Sequence, residues 1–110
     1  MPSYSKNEVI LVRYPFSNLS GSKVRPAVVI NDCHISQDVI IVPLTSKASS
    51  LLAGEFILTS WKAAGLNVPS AAKRGIYTVH QSLVMKSIEK LTDTDAKNLE
   101  NSLRNWLGLH

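Results

Sequence analysis

Two residues of the chain have side chains suited to holding a phosphate group, and both lie beside the ends of apolar runs. Arg25 stands at the entry to such a run, and Thr45 closes the next one before Ser46 and Lys47. A guanidinium can bind two phosphate oxygens at once and stays charged at every relevant pH, and a hydroxyl can donate to such an oxygen. The simpler readings are an exposed surface arginine and a threonine that bonds the following turn.

The composition is that of one ordinary globular domain with a mild positive charge. The chain has 110 residues, of which 45% are hydrophobic and 18% charged, and its formal net charge is +4. This balance argues against intrinsic disorder and favours a polyanionic partner. A single domain over residues 1–110 is expected.

Cysteine and histidine usage argues against both a disulfide scaffold and structural zinc. Cys33 is the only cysteine in the sequence, and no Cys/His cluster has zinc-ligand spacing. Residues 1–7 are polar, and no apolar run approaches the ~20 residues that a membrane span needs. We therefore expect a cytoplasmic protein without a metal or another cofactor.

Three short aliphatic runs predict the first strands, over residues 8–14, 24–30 and 38–45. Pro43 inside the third run points to an edge strand or a bulge, because proline cannot donate to a sheet ladder. Turn-rich loops separate the runs, as expected for a sheet of short strands.

The second half of the chain predicts shorter elements and one clear helix. Residues 55–59 and 76–80 have strand composition, residues 61–65 suggest a helical turn, and residues 83–91 are interpreted as a short helix.

The last helix is marked by Thr92 and Asp95, which have capping-box spacing with Asp in place of the usual Glu, and by Gly108, which suits its end. Its apolar residues recur at helical spacing: Ala96, Leu99, Leu103 and Trp106. The expected fold class is therefore β-dominated α+β, a curled sheet or small barrel covered on one side by a C-terminal helix.

Four sequence segments carry a resemblance to a known family. They are the run GSKVRPAVVI at 21–30, PLTS at 43–46, GLNVPS at 65–70 and IYTV at 76–79. In order and spacing they resemble the MazF/PemK toxins of type II toxin–antitoxin systems, and the likeness extends from Glu8 to Leu109.

The resemblance implies an SH3-like barrel of the CcdB/PemK type, a homodimer, and a groove for single-stranded RNA. Members of that family cut messenger RNA without a metal, through attack of the 2′-hydroxyl on the phosphodiester, and thereby arrest translation and growth. An acidic antitoxin segment blocks the same groove. Carried onto this chain, Arg25 and Thr45 become the expected catalytic residues.

Other residues are expected to contact the RNA. The loop over residues 15–23 is polar and corresponds to one that closes over RNA, with Phe16 offered for base stacking. The full expected set is Phe16, Ser20, Lys23, Ser46, Lys47, Lys73 and Arg74. A core role for Phe16 and solvated surface charge for the basic residues are equally good explanations.

The chain also departs from part of the family. Some members have an Arg-x-Asp pair before the strand that Thr78 and Val79 match, and Ala72 and Arg74 stand at those positions here. Either catalysis then rests on Arg25 and Thr45 alone, or His80, Lys73 or Arg74 contributes to proton transfer, although a single histidine on a strand is more often structural. The alternatives are a non-enzymatic toxin of the gyrase-inhibitor type and an inactive barrel that only binds RNA or antitoxin.

Overall fold

The computed structural model describes residues 4–14 and 23–109, which form a strand-dominated antiparallel sheet followed by one helix. The elements are β1 (Glu8–Tyr14), β2 (Lys23–Val29), β3 (Asp38–Thr45), β4 (Phe56–Ile57), β5 (Ala71–Ala72), β6 (Tyr77–His80), a 3₁₀ helix (Gln81–Leu83), β7 (Val84–Lys90) and α1 (Asp93–Leu107). The first three strands and α1 lie where the sequence predicts them. No helix in the described ranges is both long and apolar enough to cross a membrane.

Strand β3 is the centre of the sheet. One of its sides pairs with β2, while its other side pairs first with β6, over residues 38–41, and then with β5, at residues 44 and 45. Pro43 falls between those two partners, and its carbonyl accepts a hydrogen bond of 2.9 Å from the Lys73 N–H. Because the imide nitrogen faces the same gap, the missing N–H removes no bond from a ladder. Of the two settings predicted for Pro43, an edge strand is therefore wrong, and a local interruption of the ladder, the kind of site a bulge provides, is what the structure has.

The predicted helix over residues 83–91 is also wrong, because most of this segment is β7. The strand pairs with β1 from Glu8 opposite Lys90 to Val12 opposite Val84, and the register shifts twice along the way. Each shift inserts an extra residue on β7, which disturbs the alternation of inward and outward side chains. Val84 and Ile88 are the half-buried residues of this strand, and their spacing of four imitates a helical period.

The segment between β3 and β6 is mostly irregular. The strand predicted over residues 55–59 shortens to the two residues of β4, and residues 61–65 form hydrogen-bonded turns as predicted. Bonds from the Ala64 N–H to the Ser60 carbonyl and from the Leu66 N–H to the Trp61 carbonyl hold these turns. The result is a small barrel-like fold, in which no strand pairing among the described residues joins the two ends of the sheet.

Successive residues of β1, β2 and β3 alternate between two apolar cores. The helix-side core contains Val9, Val28, Val42 and Leu44 of the sheet with Leu99 of α1, and the partly buried Ala96 and Leu103 pack against it. The second core contains Ile10, Val12, Ala27, Val29, Val39, Ile41 and Val79, with Leu83 and Val84 against it. Trp106, predicted on the apolar face of α1, is instead 48% exposed.

Helix α1 is fixed at its start by a buried carboxylate. Thr92 caps the helix by accepting from the Asp95 N–H, and Gly108 ends it in the left-handed conformation, both as predicted. The Asp95 carboxylate, which is fully buried, accepts from the backbone N–H groups of Thr59 (2.8 Å) and Ser60 (3.0 Å) and from the Thr59 hydroxyl (2.9 Å). Asp95 therefore joins the helix to the turn after β4.

Replacing Asp95 with alanine should lower the free energy of unfolding by about 3 kcal/mol, because two buried N–H groups lose their acceptor. The matched control is Asp93→Ala, which removes an exposed carboxylate from the same helix turn and should cost about 0.5 kcal/mol. Urea unfolding at one fixed protein concentration measures both. Equal losses for the two variants would show that Asp95 is no more than a favourable helix-end charge.

Candidate functional site

A broad groove of about 1050 Å³ crosses the sheet where β2 begins and β3 ends. The loops over residues 46–55 and 65–75 border it. Six of the residues predicted from the sequence line this groove: Arg25, Thr45, Ser46, Lys47, Lys73 and Arg74. The fold therefore gathers into one site residues that lie far apart along the chain.

The adjacent strands β2 and β3 bring Arg25 and Thr45 to the same groove. Ala27 pairs with Pro43, and Arg25 and Thr45 each lie two residues beyond that pair on their own strands. Pro26 follows Arg25 and restricts it to extended backbone, which fixes locally the direction in which the guanidinium leaves the strand. The guanidinium and the hydroxyl thus face the same groove from adjacent strands.

The two side chains differ in how far the protein already uses them. Arg25 is exposed and makes no hydrogen bond or ion pair within the described part of the chain. The Thr45 hydroxyl oxygen accepts a bond of 3.1 Å from the Lys47 N–H in the turn after β3. That bond is the ordinary role expected of such a threonine, and it leaves the hydroxyl hydrogen able to donate into the groove.

Positive charge extends across the groove from one sheet edge toward the other. Lys86 on β7 pairs with Leu11, which in turn pairs with Pro26 beside Arg25. At about 4.8 Å between strands, the distance from β7 across to β5 is roughly 19 Å. The cations that line the groove are Lys86, Arg25, Lys47, Lys73 and Arg74, and Glu55 is the one carboxylate among the lining residues that the structure describes. An extended polyanion matches this arrangement.

Sequence reasoning missed Lys86 because it assigned residues 83–91 to a helix. In β7 the side chain is exposed and lines the groove. The run VMKSIEK alternates poorly, so period-2 counting gives no signal for it. Lys86 pairs with Leu11 between the two register shifts of β7 against β1, which a count along the sequence does not reveal.

Glu55, which the sequence did not single out, joins residues 52–55 to the basic residues Lys73 and Arg74 on the groove wall. One of its oxygens accepts from the Leu52 N–H (2.9 Å) and the other from the Arg74 N–H (3.1 Å). These backbone bonds, from Leu52 first and then Arg74, together with the positive charges of Lys73 and Arg74, hold the pKa of Glu55 below its ordinary value against a small effect of burial. The carboxylate therefore stays ionised and committed to its backbone partners.

The segment over residues 53–55 is also joined to α1. The Ser102 hydroxyl donates to the Gly54 carbonyl at 2.7 Å, and the Arg74 guanidinium donates to the Ala53 carbonyl at 3.3 Å. Gly54 has a φ of 90°, a conformation that favours glycine. The basic side of the groove is thus connected through residues 53–55 to the last turns of the helix.

Some of the expected site residues lie elsewhere or outside the description. His80 does not line the groove, and its Nδ1 lies 3.2 Å from the Ser82 N–H and 2.9 Å from the Ser82 hydroxyl at the start of the 3₁₀ helix. This geometry gives His80 a capping role. Phe16 and Ser20 lie outside the described residues, and of Lys23 only the backbone, at the start of β2, is described. No group of three or more His, Cys, Asp or Glu in residues 4–14 and 23–109 has the geometry of a metal site.

The two backbone hydrogen bonds that the Glu55 carboxylate accepts, called here the Glu55 clamp, lead to a prediction about how stability depends on pH. Because the pKa of Glu55 is lowered in the folded state, its stabilisation is fully present above the pKa of the unfolded chain and is lost as pH falls through the folded pKa. The wild type should therefore be more stable than Glu55→Gln at neutral pH, and the two should converge in acid. Urea midpoints across the acidic range measure this. A difference that does not change with pH would contradict the clamp.

Comparison with known proteins agrees with this fold. A family model described as PemK-like, MazF-like toxin of type II toxin-antitoxin system matches residues 5–107. No curated protein gives a significant match to the sequence.

Three solved structures illustrate the likeness. The toxin MazF-mt6 of Mycobacterium tuberculosis is 18% identical, with a TM-score of 0.72 over 94% of this chain and 98% of its own. A mycobacterial endoribonuclease in complex with its cognate antitoxin is 13% identical, with a TM-score of 0.75 over 100% and 98%. A chain of the MazE–MazF structure from Deinococcus radiodurans is 13% identical, with a TM-score of 0.80 over 100% of both chains. These likenesses agree on the fold, and the family model matches almost the whole chain, so this protein belongs to the PemK-like, MazF-like toxins of type II toxin–antitoxin systems.

Proposed function

We propose that this toxin is a sequence-specific, metal-independent endoribonuclease that cuts single-stranded messenger RNA and stops growth by arresting translation. The observation that carries the proposal is that Arg25 and Thr45, from the adjacent strands β2 and β3, line one groove that contains five cations. The resemblance of residues 21–30 and 43–46 to the toxin family supports the same reading. No cofactor enters the proposed reaction.

The chemistry asks little of the protein beyond charge and position. The 2′-oxygen loses its proton and bonds to phosphorus, the bond from phosphorus to the 5′-oxygen breaks, and that oxygen takes up a proton. The products are a 2′,3′-cyclic phosphate and a 5′-hydroxyl. On the way from substrate to products, the phosphorus becomes five-coordinate and its nonbridging oxygens carry extra negative charge. Donor groups that already point at those oxygens lower the barrier.

Arg25 is the group we assign to that charge. Its guanidinium can bind both nonbridging oxygens, and it has no competing partner among the described residues. The extended backbone before Pro26 holds it at the strand entry, so little ordering remains to be done when RNA binds.

Thr45 is assigned a second donor role. The Lys47 N–H fixes the hydroxyl oxygen, and the hydroxyl hydrogen remains for a nonbridging phosphate oxygen. Ser46 follows it on the groove wall and is proposed as an RNA contact. Flanking phosphates are assigned to Lys47, Lys73 and Arg74, joined by Lys86.

Partners follow from the same surface. The positive groove suits an acidic segment of a cognate antitoxin, which would block RNA by occupying its place. The mycobacterial and Deinococcus structures described above contain an antitoxin. We propose the same kind of partner here, together with a homodimer acting in the cytoplasm.

Cleavage of a long single-stranded RNA by purified protein, with EDTA present throughout, tests the proposal. Arg25→Ala should lower the rate by about 100- to 1000-fold, and Thr45→Ala by about 10- to 100-fold, because each removes a donor to developing charge. Lys97→Ala, an exposed change on α1 outside the groove, is the charge-matched control and should cleave normally. Intact RNA with folded, dimeric wild type would refute the enzymatic reading and favour a gyrase-type or purely binding toxin.

The groove cations assigned to RNA phosphates, called here the phosphate track, should make RNA affinity depend on salt concentration. Binding of a non-cleavable 2′-O-methyl RNA should weaken linearly with the logarithm of salt, and Lys73→Ala or Lys86→Ala should each reduce the slope by about 0.7. Fluorescence anisotropy at several salt concentrations measures the slopes. Lys97→Ala should leave the slope unchanged, and a wild-type slope in Lys86→Ala would remove that residue from the track.

A further inference from the structure

Tyr77 is a half-exposed aromatic residue on the wall of the groove. It begins β6 and pairs with Ile41, and 41% of its surface is exposed. Thr45 lies four residues beyond Ile41 along β3, a distance of roughly 13 Å. The ring therefore belongs to the same groove as the catalytic pair proposed above but lies beyond it.

The neighbouring glycine makes room for this ring. A Cβ atom on Gly75 would lie 2.9 Å from Cε2 of Tyr77, closer than Cβ atoms approach in proteins, and 3.3 Å from its hydroxyl oxygen, which is a tight contact. The backbone of Gly75 does not need a positive φ, unlike Gly54 and Gly65. The missing side chain at position 75 thus serves the position of the tyrosine ring.

Further apolar surface accompanies the ring. Val68 and Leu52 line the groove and are 48% and 56% exposed. A ligand consisting of charge alone, such as inorganic phosphate, would make no favourable contact with these apolar surfaces. Single-stranded RNA presents phosphates and flat apolar bases together, and aromatic side chains that stack on its bases are the usual complement.

We propose that Tyr77 is the platform on which a base flanking the cleavage point stacks, and that Gly75 sets the position of its ring. This inference rests on the proposed function, because it identifies a base contact in the RNA groove. The cations hold the phosphates on one side of the strand, and the tyrosine holds a base on the other. Stacking is tolerant of base identity, so its first effect is on affinity.

The test uses binding without cleavage. The probe is a 2′-O-methyl oligouridine carrying one 2-aminopurine, whose fluorescence falls when the base stacks, with the label moved along the strand in separate oligomers. Wild type should quench the label at one position. Tyr77→Ala and Tyr77→Leu should abolish that quenching and weaken binding by about 5- to 150-fold, while Tyr77→Phe should retain both.

Gly75→Ala is the sharper variant, because it keeps the ring and displaces it. It should reduce quenching at the same label position while circular dichroism shows an intact fold. Wild-type quenching in Tyr77→Leu or in Gly75→Ala would overturn the inference. Because the probe cannot be cleaved, a protein that stacks the base but cuts no RNA would refute only the enzymatic proposal. A protein that cuts RNA with no label quenched would refute only this inference.

Discussion

The pairing of β3 with three other strands is the constraint on which the rest of the structure depends. It joins β2 on one side and β6 and β5 on the other, and Pro43 occupies the point where the two outer partners exchange. A residue that cannot donate a hydrogen bond is tolerated at the middle of a sheet only where no acceptor faces it. Beyond that point the last two residues of β3 pair with β5 and lie on the groove wall.

The charged side chains of the groove differ in whether they already form hydrogen bonds within the protein. Glu55 is bound to two backbone N–H groups and is committed to the shape of the loop, and Arg74 gives one of its guanidinium donors to the Ala53 carbonyl while its other donors remain for a phosphate. Arg25 has no such commitment within the described chain. The groove therefore separates charges that build it from a charge that is available to a ligand.

Much of the architecture could be predicted from local sequence. Strands β1 to β3 are continuous aliphatic runs, and Thr92 and Gly108 mark the limits of α1 through their capping chemistry. Arg25 and Thr45 could be named because they stand at strand ends inside a segment with a family resemblance. Their shared position in one groove agrees with that expectation.

The remainder depends on contacts that short sequence windows do not contain. Two register shifts hide β7 from period counting, and with it Lys86. Glu55 acquires its role from the Arg74 N–H, nineteen residues away, and Tyr77 from the space left by Gly75. Asp95 was placed correctly at the helix start, yet its main partners, Thr59 and Ser60, come from a distant turn.

The alternation of β2 and β3 between two cores has a consequence for how the site tolerates sequence drift. If β3 slipped by one residue along β2, Val42 and Leu44 would leave the helix-side core, and the side chain of Thr45 would turn to the opposite face of the sheet. Both cores would be disrupted by the same slip. The relative position of Arg25 and Thr45 is therefore maintained because any slip of β3 would also disrupt both apolar cores. The loops around the groove can change in sequence without disturbing that position.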